Sequence, residues 1–239
     1  MLEGENSQKK IGALIKTSLV DYPQKVAAAV FLHGCNLKCP YCYNVELVTG
    51  KTDDYDCVTY EDVIAHLEKR KNVLSGFVIS GGEPCLSPFL DSLIKDARDL
   101  GYLIKLDTNG TFPEKLESLF SNSALIPDFV AMDFKTVPEK YGLCGKEVSD
   151  QIKKSISIIS QLSSEKREFR TVLVPGLVNE ADIENMAQYL PKDAAWRFAR
   201  FRNDNCLDKN YESVVPYTQE QIDSLVRVAA KYIPDSVLR

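Results

Sequence analysis

Cys35, Cys39 and Cys42 fall within eight residues, with the spacing C-x3-C-x2-C. Three thiolates on one tight loop can each ligate one iron of a cubane and leave the fourth iron open to another ligand. Zinc is the competing occupant. It closes a tetrahedron with four ligands, and the nearby candidates for the fourth, His33 and the more distant Cys57, complete no familiar zinc spacing. The chain has seven cysteines, an odd number for a disulfide framework. Clustered thiols in a reducing compartment usually bind metal or do chemistry. Cys57, Cys85, Cys144 and Cys206 lack the spacing for a second cluster and read as ordinary thiols.

Three further segments carry polar groups suited to a ligand. Gly81-Gly82-Glu83-Pro84 lets backbone approach a ligand closely and offers main-chain polar groups, although alone it reads as a plain turn. Asp107-Thr108-Asn109-Gly110 and Met132-Asp133-Phe134-Lys135 each supply a carboxylate; in isolation such residues are more often helix caps or solvated. Arg170 and Arg200 alternate with apolar neighbours, so one of them is a candidate to turn inward and pair with a carboxylate, against a solvated strand-end position. His33 and His66 read as structural.

These residues need elements to hold them. Six short runs, Val26–Leu32, Phe77–Ser80, Leu103–Leu106, Phe129–Phe134, Phe169–Val174 and Ala195–Phe201, have the apolar or β-branched character of strands buried on both faces. Amphipathic stretches with start signals lie between or after them. Thr59 with Asp62 forms a capping-box pattern; Ser87-Pro88, Pro113, Ser149, Asn179 and Thr218 open the others, and Gly101 stops one. Strand–helix alternation predicts parallel strands with helical crossovers, an α/β sheet or barrel. In parallel barrels reactive groups sit at the carboxyl ends of strands. The cysteine loop, Gly81–Pro84, Asp107–Gly110 and Asp133 with Lys135 all fall at such ends, which predicts one shared rim.

The 239 residues allow one large domain, and 44% apolar and 26% charged residues are ordinary for a globular protein. A formal net charge of −5 gives no global basic field for nucleic acid or anionic lipid. Met1 to Lys10 is polar, with no signal-peptide pattern, and no segment reaches membrane-span length. The expectation is a cytoplasmic protein, with no nucleic-acid or membrane partner.

The cysteine loop, with Tyr41 just before Cys42, and Gly81–Pro84 together resemble the signature of radical S-adenosylmethionine enzymes over nearly the whole chain. That resemblance implies a partial (β/α)6 barrel: a single domain over 1–239, with an N-terminal extension at 1–25, a barrel core at 26–201 and a C-terminal segment and helix at 202–239. It implies a [4Fe–4S] cluster on Cys35, Cys39 and Cys42 whose open iron is chelated by the methionyl group. Reductive cleavage then yields a 5′-deoxyadenosyl radical that abstracts hydrogen from a substrate. Tyr41 is then placed near the adenine, or simply packed in its loop; Gly81, Gly82 and Glu83 belong with the methionyl amine. Asp107–Gly110 and Met132–Lys135 are similar to segments of glycyl-radical-enzyme activases. The likeness implies that Asp107, Thr108 and Asp133 hold a monovalent cation and that Lys135 contacts the cofactor; Arg170 joins that group as its inward-facing arginine.

Ser18-Leu-Val-Asp21-Tyr-Pro23-Gln-Lys25, Tyr41-Cys42-Tyr43-Asn44 and Lys105-Leu-Asp107-Thr-Asn-Gly110 resemble activating proteins of anaerobic (class III) ribonucleotide reductases. The implied partners are that glycyl radical enzyme and a flavodoxin- or ferredoxin-like electron donor. A minimal barrel without an added domain suits a protein-loop substrate. Tyr43 stands where those proteins usually carry histidine and Gln24 where glycine is common, and 201–205 follows their ending only loosely. The alternatives are a small-molecule radical enzyme such as a 7-deazaguanine-forming synthase and, from another class, a non-catalytic metal-binding protein.

Overall fold

The computed structural model describes residues 9–49 and 57–239. The first eight residues of the expected N-terminal extension, and residues 50–56, lie outside the described residues. In chain order the elements are β1 (Lys10–Ser18), β2 (Ala27–Leu32), α1 (Val45–Thr49), β3 (Cys57–Thr59), α2 (Tyr60–Arg70), β4 (Gly76–Gly81), α3 (Leu90–Asp99) and β5 (Leu103–Thr108). There follow α4 (Pro113–Ser121), β6 (Phe129–Asp133), α5 (Ser149–Ile159), β7 (Arg167–Leu173), α6 (Glu180–Ala187), β8 (Trp196–Arg200), α7 (Gln219–Tyr232) and β9 (Ser236–Leu238). The alternation expected of a partial (β/α)6 barrel is present: all six expected strands form, as β2, β4, β5, β6, β7 and β8. The described residues divide into two compact units, one of 9–36, 46–49, 57–108 and 117–129, the other of 37–45, 109–116 and 130–239.

In the first unit the strands run in the order β3-β1-β2-β4-β5. β2, β4 and β5 are parallel, with Val30 opposite Ile79 and Ile79 opposite Leu106. Ala27 to Val30 and Phe77 to Ile79 are fully buried, as strands covered on both faces must be. β1 is antiparallel to both β2 and β3. Its run KIGALIKTS is exposed over much of its length, so it lacks the apolar signal that marks its neighbours. Beyond it, Tyr22 is buried, packing at 6.1 Å from Phe129 and tying the 18–25 segment down.

The α2 capping box of Thr59 and Asp62 forms as expected. α3 begins later than its sequence signal. Ser87 Oγ accepts from the Phe89 amide at 3.2 Å in a local turn, and the helix starts at Leu90 without a side-chain cap. Its buried face is Leu90, Leu93, Ile94 and Ala97, and Gly101, at φ +91°, ends it.

The second unit carries β6-β7-β8-β9, all parallel. Trp196 is fully buried and donates Nε1–H to Thr171 Oγ1 at 2.9 Å, with Phe198 packed at 4.7 Å. Capping boxes start α6 at Asn179 and α7 at Thr218. Ser149 is not a cap: it is the first residue of α5, behind an uncapped Val148. β9 is three residues long, too short to show a period in sequence. No helix among the described residues is long and apolar enough to cross a membrane.

Candidate active site

The first unit holds Cys35, Gly81–Glu83, Asp107 and Thr108. The turn after β4 lies on the backbone that leads to Cys35. Gly82 N–H donates to Leu32 O at 2.9 Å and Glu83 N–H to Gly34 O at 2.8 Å. A Cβ on Gly82 would stand 2.1 Å from Gly34 O, and one on Gly81, at φ +130°, 2.2 Å from Leu32 N. A side chain at either glycine would therefore collide with the protein's own cysteine-loop backbone.

Behind that turn lies a buried polar cluster. Glu83 is fully buried and accepts from Thr108 Oγ1 at 2.8 Å and from the Cys85 amide at 3.0 Å. Asp107 Oδ1 lies 2.5 Å from Lys105 Nζ, and Oδ2 accepts from Ser80 Oγ at 3.1 Å. Asp107 is thus neither a helix cap nor a solvated strand end. Cys85 Sγ lies 3.7 Å from Thr108 Oγ1, and Cys57 Sγ 3.7 Å from His33 Nε2. Burial lowers the His33 pKa. His66 is structural, bonded to Lys16 O at 2.9 Å.

The second unit holds Cys39, Tyr41, Cys42, Asp133, Lys135 and Arg170. Asp133 and Arg170 are direct partners in the β6–β7 register, which is why the guanidinium reaches the carboxylate: Arg170 Nε donates to Oδ1 at 2.9 Å. Lys135 Nζ donates to Oδ2 at 3.2 Å. Of the two candidate arginines, Arg170 makes the carboxylate pair, whereas Arg200 bonds Gln219 at the surface. Partial burial alone would push the Asp133 carboxyl up; Arg170 and Lys135 overcome it and hold it at about 2.

The neighbouring Cys144 thiol, together with burial, raises the Cys39 thiol well above its ordinary range, while Lys135 opposes the shift. Burial raises Cys42, against the Asn44 amide and Lys135. Tyr41 is buried, and its hydroxyl has no hydrogen-bond partner among the described residues. Sequence reasoning set Cys144 aside as an ordinary thiol; only its contact with Cys39 reveals it.

The carboxy-terminal segment was also missed. Leu207 N–H donates to Cys42 O at 3.0 Å, Asp208 N–H to Pro40 O at 2.9 Å and Asn205 Nδ2 to Tyr43 O at 3.2 Å. On its other side, Lys38 N–H donates to Cys144 O at 2.9 Å. The loop that carries Cys39 and Cys42 is thereby clamped through its main chain, and no residue-type signal announces main-chain bonds.

Soft thiols beside a lysine ammonium, with an unpartnered buried tyrosine hydroxyl between two of them in sequence, fit an iron–sulfur cluster and an organic ligand. Among the described residues no three histidine, cysteine or carboxylate side chains are gathered round one point. A monovalent cation fits less well. Asp107 is paired with Lys105, Thr108 with Glu83, and Asp133 with Arg170 and Lys135.

The family model described as the radical SAM superfamily matches residues 29–190, which implies a [4Fe–4S] cluster and S-adenosylmethionine. A Methanocaldococcus jannaschii protein named as a glycyl-radical enzyme activating enzyme is 32% identical over 237 residues, covering 96% of this chain and 95% of its own. The pyruvate formate-lyase-activating enzyme of Streptococcus mutans is 29% identical over 206 residues, covering 80% and 76%. The solved structure of TYW1 with a lysine-pyruvate adduct superposes with a TM-score of 0.60 at 17% identity, over 87% of this chain and 74% of that one; this likeness is one of fold. The chain belongs to the radical SAM superfamily and is homologous to glycyl-radical enzyme activating enzymes.

Proposed function

We propose that this protein installs a glycyl radical on an anaerobic ribonucleotide reductase, taking electrons from a flavodoxin- or ferredoxin-like donor in a reducing cytoplasm. The observation that carries the activase reading is the likeness, over nearly the whole chain, to a protein named for that activity. The choice of reductase rests on the Ser18–Pro23 and Asp107–Gly110 segments. Leu19 and Val20 of the first segment are 76% and 70% exposed, apolar side chains available to a protein partner.

Cys35, Cys39 and Cys42 hold the cluster in this reading. When bound and reduced, it supplies the electron that splits the carbon–sulfur bond of S-adenosylmethionine. The chain's own groups bind and orient that cofactor. Lys135 and Arg170, beside Asp133, offer cationic groups suited to the methionyl carboxylate. The main chain of Gly81 and Gly82, with Glu83, belongs with the methionyl amine in this reading. Tyr41 offers its unpartnered hydroxyl to the adenosyl part.

Interactions made only when the target glycine is aligned accelerate the chemistry, so partner docking is expected to increase 5′-deoxyadenosine formation. The test mixes the reduced, reconstituted protein with the reductase of the same organism and S-adenosylmethionine, then freezes the sample for electron paramagnetic resonance. A doublet that collapses when the partner glycine is deuterated is the expected result. No partner radical, with turnover of a small deazapurine precursor, overturns the reading in favour of a deazaguanine-forming enzyme.

A further inference from the structure

No role for Lys105 follows from the sequence. Its side chain is 1% exposed, between the fully buried Ile104 and Leu106. It stands two residues before Asp107 on β5, so both side chains leave the strand on one face. The ammonium reaches Asp107 Oδ1 at 2.5 Å, while Ser80 Oγ supplies a hydrogen bond to Oδ2. An ammonium buried this far is retained only with a partner, because desolvation is expensive. The neighbouring Thr108 hydroxyl donates to Glu83 at 2.8 Å.

Resting on the radical-enzyme reading of this site, we infer that Lys105 is its resident counter-cation, a positioning residue that does for Asp107 what a bound monovalent metal would do. S-adenosylmethionine binding is then independent of potassium and sodium. A tethered ammonium is a point charge that needs no capture from solution, so the carboxylate is oriented before the cofactor arrives. Lys105 itself touches Asp107, and acts on the cofactor through it.

The experiment measures S-adenosylmethionine affinity of the anaerobically reconstituted full chain by calorimetry, in potassium, sodium or choline chloride at equal ionic strength. Wild-type affinity is expected to agree across the three salts within about twofold, and Lys105→Arg to behave likewise. Lys105→Ala opens room beside Asp107; its affinity is expected to fall by about tenfold or more in choline and to recover in potassium or sodium. A merely structural lysine would not create that cation dependence. Wild-type affinity that drops about tenfold or more in choline overturns the inference, as does Lys105→Ala binding as tightly as wild type in choline. Should Lys105→Ala fail to fold, the wild-type and Lys105→Arg salt series decides by itself. Absence of cofactor binding in every salt overturns the underlying radical-enzyme reading, a result distinct from binding that follows potassium.

Discussion

The thiols of Cys39 and Cys144, 105 positions apart in sequence, act on one another: Cys39 is held protonated and Cys144 ionises more readily. Cluster binding must exchange the Cys39 proton for an iron–sulfur bond. Cys35→Ala, Cys39→Ala and Cys42→Ala are each expected to lose the intact cluster, since a three-thiolate site has no spare ligand. Cys144→Ala, and the same change at Cys57, Cys85 or Cys206, is expected to keep it. Iron and sulfide analysis after anaerobic reconstitution checks this, and a full iron content in Cys39→Ala would contradict it. In the cluster-free protein, Cys144→Ala should let the Cys39 thiolate form at lower pH, seen in its ultraviolet absorbance.

Asp133 gives a pH test. Its folded pKa, held at about 2 by Arg170 and Lys135, lies below that of an unfolded aspartate. A depressed carboxylate contributes stability that is fully present above the unfolded value and disappears as pH falls through the folded one. Wild type should therefore lose stability between about pH 4 and pH 2 faster than Asp133→Asn does. Urea titrations across that window measure the two slopes, and parallel slopes would refute the assignment. Asp133→Asn is also expected to weaken cofactor binding while sparing the cluster.

Asp107→Asn strands the buried Lys105 ammonium. Losing one partner of a buried pair costs about 3–5 kcal/mol, whereas removing both is often close to neutral. The single variant should thus be strongly destabilised and bind S-adenosylmethionine weakly. The Lys105→Met/Asp107→Asn double variant should recover most of the stability but not the binding. Denaturant midpoints of the four proteins in this cycle, with cofactor titrations, check both halves. Additive losses would show that the pair is not coupled.

Tyr41→Phe separates folding from binding. A buried hydroxyl without a partner costs about 1–3 kcal/mol, so its removal should raise the melting temperature of the cluster-free protein. Cofactor affinity should fall in the loaded protein, because the hydroxyl is then lost to the ligand. A lowered melting temperature would mean that the hydroxyl serves the fold.

The parts of this protein that sequence alone determined are those in which neighbours along the chain settle the physics. Cys35, Cys39 and Cys42 sit on one loop, so their spacing announces a shared ligand. Residues such as Ala27–Val30 and Phe77–Ile79 are buried on both faces, so their strands show as unbroken apolar runs. Thr59, Asn179 and Thr218 cap helices three residues ahead, within sight of any local pattern. β1, β3 and β9 escaped, the first because its exposed residues break the apolar pattern and the other two because three residues carry no period. Tertiary structure decided which arginine meets Asp133, since only strand register sets Arg170 opposite it. It also decided that Lys105 is a buried partner rather than a strand-surface lysine, and that Cys144 and the main chain at 205–208 hold the cysteine loop. Arg170, Cys144 and residues 205–208 act across tens of residues or more, and Lys105 through burial among distant elements. The energy of such contacts resides in desolvation and hydrogen-bond geometry, which residue type and spacing do not encode.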